Sequence, residues 1–212
     1  MNENIPKYIR SEQTANRITH GTGILFSLAA FILLITDSIK TSNTWIVLSC
    51  GIFGISLILL YTSSTLYHTI TNTRSAILLR RMDHISIFIL IAGTYTPILT
   101  IAVEGTLSKT LFIIIWIMAI TGIILKIAGK MNSRIISIIY YLVMGWICIL
   151  PGRQILENIP ELSLTLIASG GLSYTIGVIF YVWKSLPFNH AIWHFFVLGG
   201  SFLHFLAIWF LI

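Results

Sequence analysis

The amino-acid sequence predicts an all-α membrane protein, a seven-transmembrane helical bundle with its N-terminus in the cytoplasm and its C-terminus outside. Composition is the first reason. Of 212 residues, 56% are hydrophobic and 9% are charged, a balance that no soluble core of this size needs. The second is the length of the uncharged runs. At about 20 apolar residues per spanning helix, the chain holds seven spans, roughly 18–37, 44–70, 83–103, 107–128, 135–151, 162–183 and 189–212. The third is where the 13 basic residues fall. Ten of them (Lys7, Arg10, Arg17, Arg74, Arg80, Arg81, Lys126, Lys130, Arg134 and Lys184) sit on the side of the N-terminus, and Lys40, Lys109 and Arg153 sit on the other. Basic loops stay inside, so the net charge of +6 is a topology signal and a contact for anionic lipid. Nothing in it points to nucleic acid. Membrane lipids are the expected partners, and a multi-pass position in the cell (inner) membrane is the expected location.

Residues 1–17 are expected to form a cytoplasmic tail ahead of an 18–212 membrane domain. The first span follows basic residues, as a secretory signal would. Its apolar stretch from Ile18 to Thr36 is too long for one, however, and no small-x-small cleavage site follows, so it is a mature helix. Near its start stand Glu12, Asn16 and His20, which either cap and anchor the helix or line the mouth of a pocket. The second span runs inward and ends in Tyr61-Thr-Ser-Ser-Thr-Leu-Tyr-His68, with Ser64 and His68 one turn apart on one face.

Asp83 and His84 begin the third span, and Pro97 within it is expected to kink the helix after Gly93, which neighbouring helices can tolerate. Spans four to six offer almost no ionisable residues. In the sixth, Ser169, Ser173 and Gly177 form a small-residue stripe suited to helix packing. Trp45, Tyr140, Trp183 and Trp209 lie near span ends, as an interfacial belt requires. Cys50 and Cys148 fall inside spans without close spacing and read as free buried thiols. The seventh span opens with His190 and His194, spaced i, i+4 on one face.

Ionisable groups in a membrane are costly and usually carry function. With this topology, five of the six histidines come to the cytoplasmic end from four helices. His204 lies ten residues past His194 and so about 15 Å deeper, outside any shared ligand shell. Three imidazoles with a carboxylate or water make a sensible Zn²⁺ shell. A single interfacial histidine is more often a hydrogen-bonded or snorkelling residue, and HxxxH lacks the Glu of the HExxH pattern. The case for a metal therefore rests on the convergence of His68, Asp83, His190 and His194.

At these residues the chain resembles the hemolysin III family, the bacterial branch of the progestin and adipoQ receptor superfamily. The pieces are Glu12-xxx-Asn16-xx-Thr19-His20-xx-Gly23, Ser64-xxx-His68, Asp83 followed by Ile91-Ala-Gly-Thr-Tyr-Thr-Pro97, and Asn189-His-Ala-Ile-Trp-His194. The resemblance implies a zinc ion near the cytoplasmic face, held by His68, His190 and His194, with Asp83 reaching it through water. Ser64 matches a serine that recurs in the superfamily and in related membrane hydrolases such as alkaline ceramidases. The long N-terminal domain of the animal receptors has no counterpart here, which argues against a hormone receptor.

By analogy within that superfamily, the leading expectation is a zinc-dependent hydrolase of a lipid amide bond, with Asp83 as base and Ser64 orienting the substrate or its oxyanion. Two other readings stand beside it. One is a sensor or receptor with structural zinc. The other is a pore-forming cytolysin, disfavoured because the outer half of the bundle lacks a continuous polar stripe.

Overall fold

The computed structural model describes residues 7–70, 73–103, 105–150 and 157–212. The first six residues of the expected tail, the side chains of Lys7 and Arg10, the end of the fifth expected span at 151, and Arg153 lie outside the described residues. Among the described residues the main α-helices are, in order, α1 Lys7–Lys40, α2 Thr44–Thr69, α3 Thr73–Ala102, α4 Gly105–Ile127, α5 Arg134–Trp146, α6 Glu161–Val182 and α7 Asn189–Trp209. No strand occurs among the described residues. All of these helices except α5 are long and apolar enough to cross a membrane.

Two helices extend well past the spans expected from hydropathy. Helix α1 has 34 residues, about 51 Å at 1.5 Å per residue, so residues 7–17 of the expected tail are helical. Helix α3 has 30 residues and starts ten positions before Asp83, which therefore lies inside the helix rather than at its beginning. The reason is common to both. Charge marks where a chain leaves the hydrocarbon, whereas a helix stops only at a cap or a breaker, and neither Glu12-Gln13 nor Arg80-Arg81 is a breaker. In contrast, α2 has a defined start. Asn43 is its N-cap and its side chain accepts the Trp45 N–H at 3.0 Å, satisfying one of the orphan donors of the first turn.

Helix α5 is short, with 13 residues capped by Ser133 and continued by a 3₁₀ turn, Ile147–Ile149. Helix α3 is unbroken through Pro97. Around that proline the hydroxyls of Thr94, Thr96 and Thr100 each donate to the carbonyl four residues back, at 2.8, 2.8 and 2.7 Å, a local way to keep polar groups paired away from water.

Helix α1 packs on α2 and α7, α2 also on α3, α3 on α4, and α6 on α7. The helix order closes on itself through α7 and α1. Fully buried Leu34, Phe53, Leu57, Tyr61, Phe88 and Ile115 fill the interior, while Ile18, Leu25, Ile113 and Ile179 point outward. In lipid, apolar exposure drives no association, so close packing by small residues must hold the helices together. Gly23 illustrates this, since a Cβ there would run into the Tyr61 ring. The expected small-residue stripe of α6 faces α7 at two of its three positions. Gly170 rather than Ser169 makes the close approach to α7, next to the Gly200 backbone and the His204 ring, while Gly177 meets Phe196 and Ser173 donates to the Phe196 carbonyl at 2.8 Å.

Candidate metal centre

The start of α7 is fixed from two sides. Phe188, in the left-handed region at φ 57°, gives its N–H to the Glu12 carboxylate of α1 at 2.6 Å. The Asn189 side chain donates to the Phe180 and Tyr181 carbonyls at the end of α6, at 3.0 and 3.3 Å. Glu12 thus anchors α7 to α1, and it also lines the cavity described below. The first two turns of α7 then carry His190 and His194 toward α1 and α2.

His68 of α2 meets them there. The ligand atoms of His68, His190 and His194 all lie within 4.8 Å of one another, and the ring centroids are 4.4–5.2 Å apart. His68 and His194 are buried and His190 is half-buried. Convergence of the three imidazoles, expected from the sequence, is what the fold delivers.

The hydrogen bonds behind the rings decide which nitrogen faces inward. His68 Nδ1 stands 2.9 Å from the side-chain amide oxygen of Gln13, Oε1, so it carries the proton and donates. His194 Nδ1 is 3.3 Å from the Thr19 hydroxyl oxygen. That hydroxyl already gives its proton to the Ala15 and Asn16 carbonyls, at 2.9 and 3.0 Å, so here too the ring must donate. Both rings therefore present a bare Nε2, and both Nε2 atoms are buried with no partner. A buried acceptor left unpaired is costly. Two of them within one close cluster of imidazoles, each backed by an oriented Nδ1–H, match the way protein imidazoles hold a metal. The donor set is nitrogen from neutral imidazoles, which suits zinc among other divalent metals.

Asp83 and Ser64 stand beside this group and are not part of the close set. Asp83 is buried at 9% exposure, near Ser64 and Arg80. The Ser64 hydroxyl is fully buried and faces the Asp83 carboxyl, one turn before His68 on the same face. His84 points elsewhere, bonded to the Arg80 carbonyl at 2.6 Å.

From the sequence, His20, like Glu12 and Asn16, either anchors the helix or lines a pocket, and all three line the cavity described below. His20 is 2% exposed and lies flat on His194 with ring centroids 3.5 Å apart, edge-on to Tyr61 at 5.2 Å. Thr19 stood in the family motif of α1, whereas sequence reasoning did not single out Gln13. Its signal was present, since Gln13, Asn16 and His20 share a helix face at i, i+3 and i+7.

A cavity of about 380 Å³ opens beside the histidines. Glu12, Arg80, Arg134 and Lys184 stand at one end of it, and His20, His68, Asp83 and His190 follow. Leu60, Ile87, Leu90, Leu142 and Val197 form apolar walls, and His204 lies beyond them. As its position ten residues past His194 requires, His204 is outside the triad; its Nε2–H donates to the Ile167 carbonyl at 3.1 Å. Arg134 and Lys184, read in the sequence only as topology markers, both face the Tyr181 ring, at 5.3 and 4.6 Å from its centroid. Burial holds the Lys184 ammonium below its ordinary pKa, with Arg134 adding to the shift and Glu12 opposing it.

Residues 8–205 match the family described as Haemolysin-III related. The chain is 45% identical over 190 residues to the Hemolysin-3 homolog of Bacillus subtilis (strain 168), covering 90% of this chain and 89% of that protein. It is 43% identical over 199 residues to Hemolysin-3 of Bacillus cereus, covering 94% and 91%. Against the human Monocyte to macrophage differentiation factor the identity is 30% over 210 residues, covering 93% and 83%. With six helices able to cross a membrane and a match spanning nearly its whole length, the chain is a multi-pass membrane protein that belongs to the Haemolysin-III related family.

Proposed function

We propose that this protein is a zinc-dependent hydrolase of a lipid amide bond, working at the cytoplasmic face of the membrane through His68, His190 and His194. The observation that carries the reading is the pair of buried, unpaired Nε2 atoms, each with its Nδ1 already engaged, at the side of a cavity with apolar walls. When bound, zinc supplies acidification of a coordinated water and polarisation of a carbonyl.

The chain's own residues do the rest. Asp83, buried next to the triad, accepts a proton from the attacking water and passes it to the leaving amine. Ser64, which faces Asp83 one turn before His68, directs its hydroxyl at the substrate carbonyl. The apolar walls, Leu60, Leu90 and Val197 among them, take the acyl chain and keep bulk water from it.

Seven crossings, with the N-terminus inside and the C-terminus outside, complete the reading. Helix α7 starts beside α1 (Glu12 to Phe188) and the end of α6 lies beside the start of α5 (Tyr181 to Arg134). Arg134 thus stands at the site end of the bundle and Glu161, at the start of the 22-residue α6, at the other end, although α5 itself is short. This supports counting it as a crossing.

A second reading keeps the metal structural in a sensor. Its favouring observation is that all three imidazoles come from two helices, so that an ion would clamp α2 to α7. One experiment separates the two. Purified protein is analysed for zinc and assayed for fatty-acid release from a panel of ceramides and other N-acyl lipids, beside Asp83→Asn. The hydrolase reading expects one zinc in both proteins and turnover in the wild type alone. Full zinc with no turnover in the wild type across the panel would leave the clamp.

A further inference from the structure

Three cations converge at the mouth of the cavity from three separate elements. Arg80 comes from α3, Arg134 is the first residue of α5, and Lys184 lies in the turn between α6 and α7. The positive-inside rule explains why basic residues collect at this end, but it does not ask them to line a cavity. Lys130, in the neighbouring stretch between α4 and α5, is exposed and stands outside it. Tyr181 organises two of the three, with the Arg134 guanidinium and the Lys184 ammonium 5.3 and 4.6 Å from its ring centroid. Cation–π attraction offsets some of the repulsion of two like charges held together.

The acids facing this group are Glu12 and Asp83. Glu12 accepts the Phe188 N–H and partly offsets Lys184, and Asp83 lies deeper, beside Ser64 and near Arg80. Three cations against two carboxylates leave the mouth positive. Behind it the walls are apolar. A cationic mouth over an apolar shaft is complementary to an anionic amphiphile, and guanidinium and ammonium donors from three elements suit a phosphate, which offers charged oxygens on several sides.

We infer that Arg80, Arg134 and Lys184 form a headgroup site for a phosphate-type anion, so that the lipid entering this cavity carries a phosphate above its hydrocarbon chain. The inference rests on the lipid-binding half of the proposed function and not on turnover. A protein that binds such a lipid and hydrolyses no amide keeps this inference and loses that reading.

The test is a titration of the full chain in phosphatidylcholine nanodiscs with dodecyl phosphate, dodecanol or inorganic phosphate. Binding is followed by the fluorescence of Trp146 and Trp193, which line the cavity, against empty discs. Dodecyl phosphate should bind saturably and roughly tenfold or more tighter than dodecanol, and Arg134→Gln and Lys184→Gln should each weaken it about tenfold, the loss of one charge-assisted hydrogen bond. Lys184→Arg should retain it, Lys130→Gln should leave it unchanged, and dodecanol should bind the Gln variants as it binds the wild type. The inference is overturned if dodecanol matches dodecyl phosphate, if Lys130→Gln weakens binding as much as Arg134→Gln, or if the Gln variants lose both probes alike. Inorganic phosphate binding as tightly as dodecyl phosphate would mark a free-phosphate site and overturn the lipid part.

Discussion

His20 of α1 and His194 of α7 stack with ring centroids 3.5 Å apart and planes 21° from parallel. Neither nitrogen of His20 has a hydrogen-bond partner, so the ring acts on its neighbour through its face. Together with Thr19 behind Nδ1, it braces the His194 imidazole beside His68 and His190. His20 is therefore a positioning residue for a metal ligand.

Removing that face should loosen His194 without deleting a ligand. His20→Ala is expected to lower zinc affinity about tenfold, the lower end for a group supporting a metal ligand, and His20→Phe, which restores a ring to stack, should recover much of it. Chelator competition on the purified protein measures both. Equal loss in the two variants would mean that His20 contributes a nitrogen and not a face.

The triad makes a sharper prediction. His68→Ala, His190→Ala and His194→Ala should each retain well under one equivalent of zinc after dialysis, and because metal binding couples to folding, each should also melt at a lower temperature in the presence of zinc. Gln13→Ala leaves all three ligands in place but removes the acceptor at His68 Nδ1, so it should cost about 10- to 100-fold in affinity. Gln13→Glu keeps an acceptor there and should bind zinc at least as well as the wild type. Inductively coupled plasma mass spectrometry and zinc-titrated melting curves report the two effects separately.

Orientation rests on the ten-to-three division of basic residues. A reporter fused after Ile212 should be active only if it works outside the cytoplasm, and one fused after Lys184 should report the cytoplasm. The opposite pattern in paired phosphatase and fluorescent-protein fusions would put the histidines and the cationic mouth at the outer face.

The helical architecture was legible because in a membrane every backbone polar group must be paired within its own segment, which leaves an apolar run little choice but to be a helix. The partners His68, His190 and His194 were legible for a related reason. Counting crossings assigns each helix end to a side, and i, i+4 spacing assigns each histidine to a face. Helix ends were harder. Polar residues such as Glu12, Gln13, Arg80 and Arg81 mark the edge of the hydrocarbon but do not stop a helix, so α1 and α3 run on past it.

What the sequence determined by itself, then, was a helical membrane protein with three histidines brought to one end, since hydrophobic length and periodicity are local properties that survive without knowledge of the neighbours. Only the tertiary structure decided how those histidines are held. The stack of His20 on His194, the Gln13 side-chain oxygen behind His68, the Glu12 anchor on Phe188 and the turn of Arg134 and Lys184 toward Tyr181 each join residues more than 45 positions apart in the chain, Lys184 and Tyr181 alone excepted. Pairings of that kind depend on which helices pack together and on the rotation of each about its axis. Both are set by small-residue approaches such as Gly23 against Tyr61, and no periodicity within one helix encodes its partner.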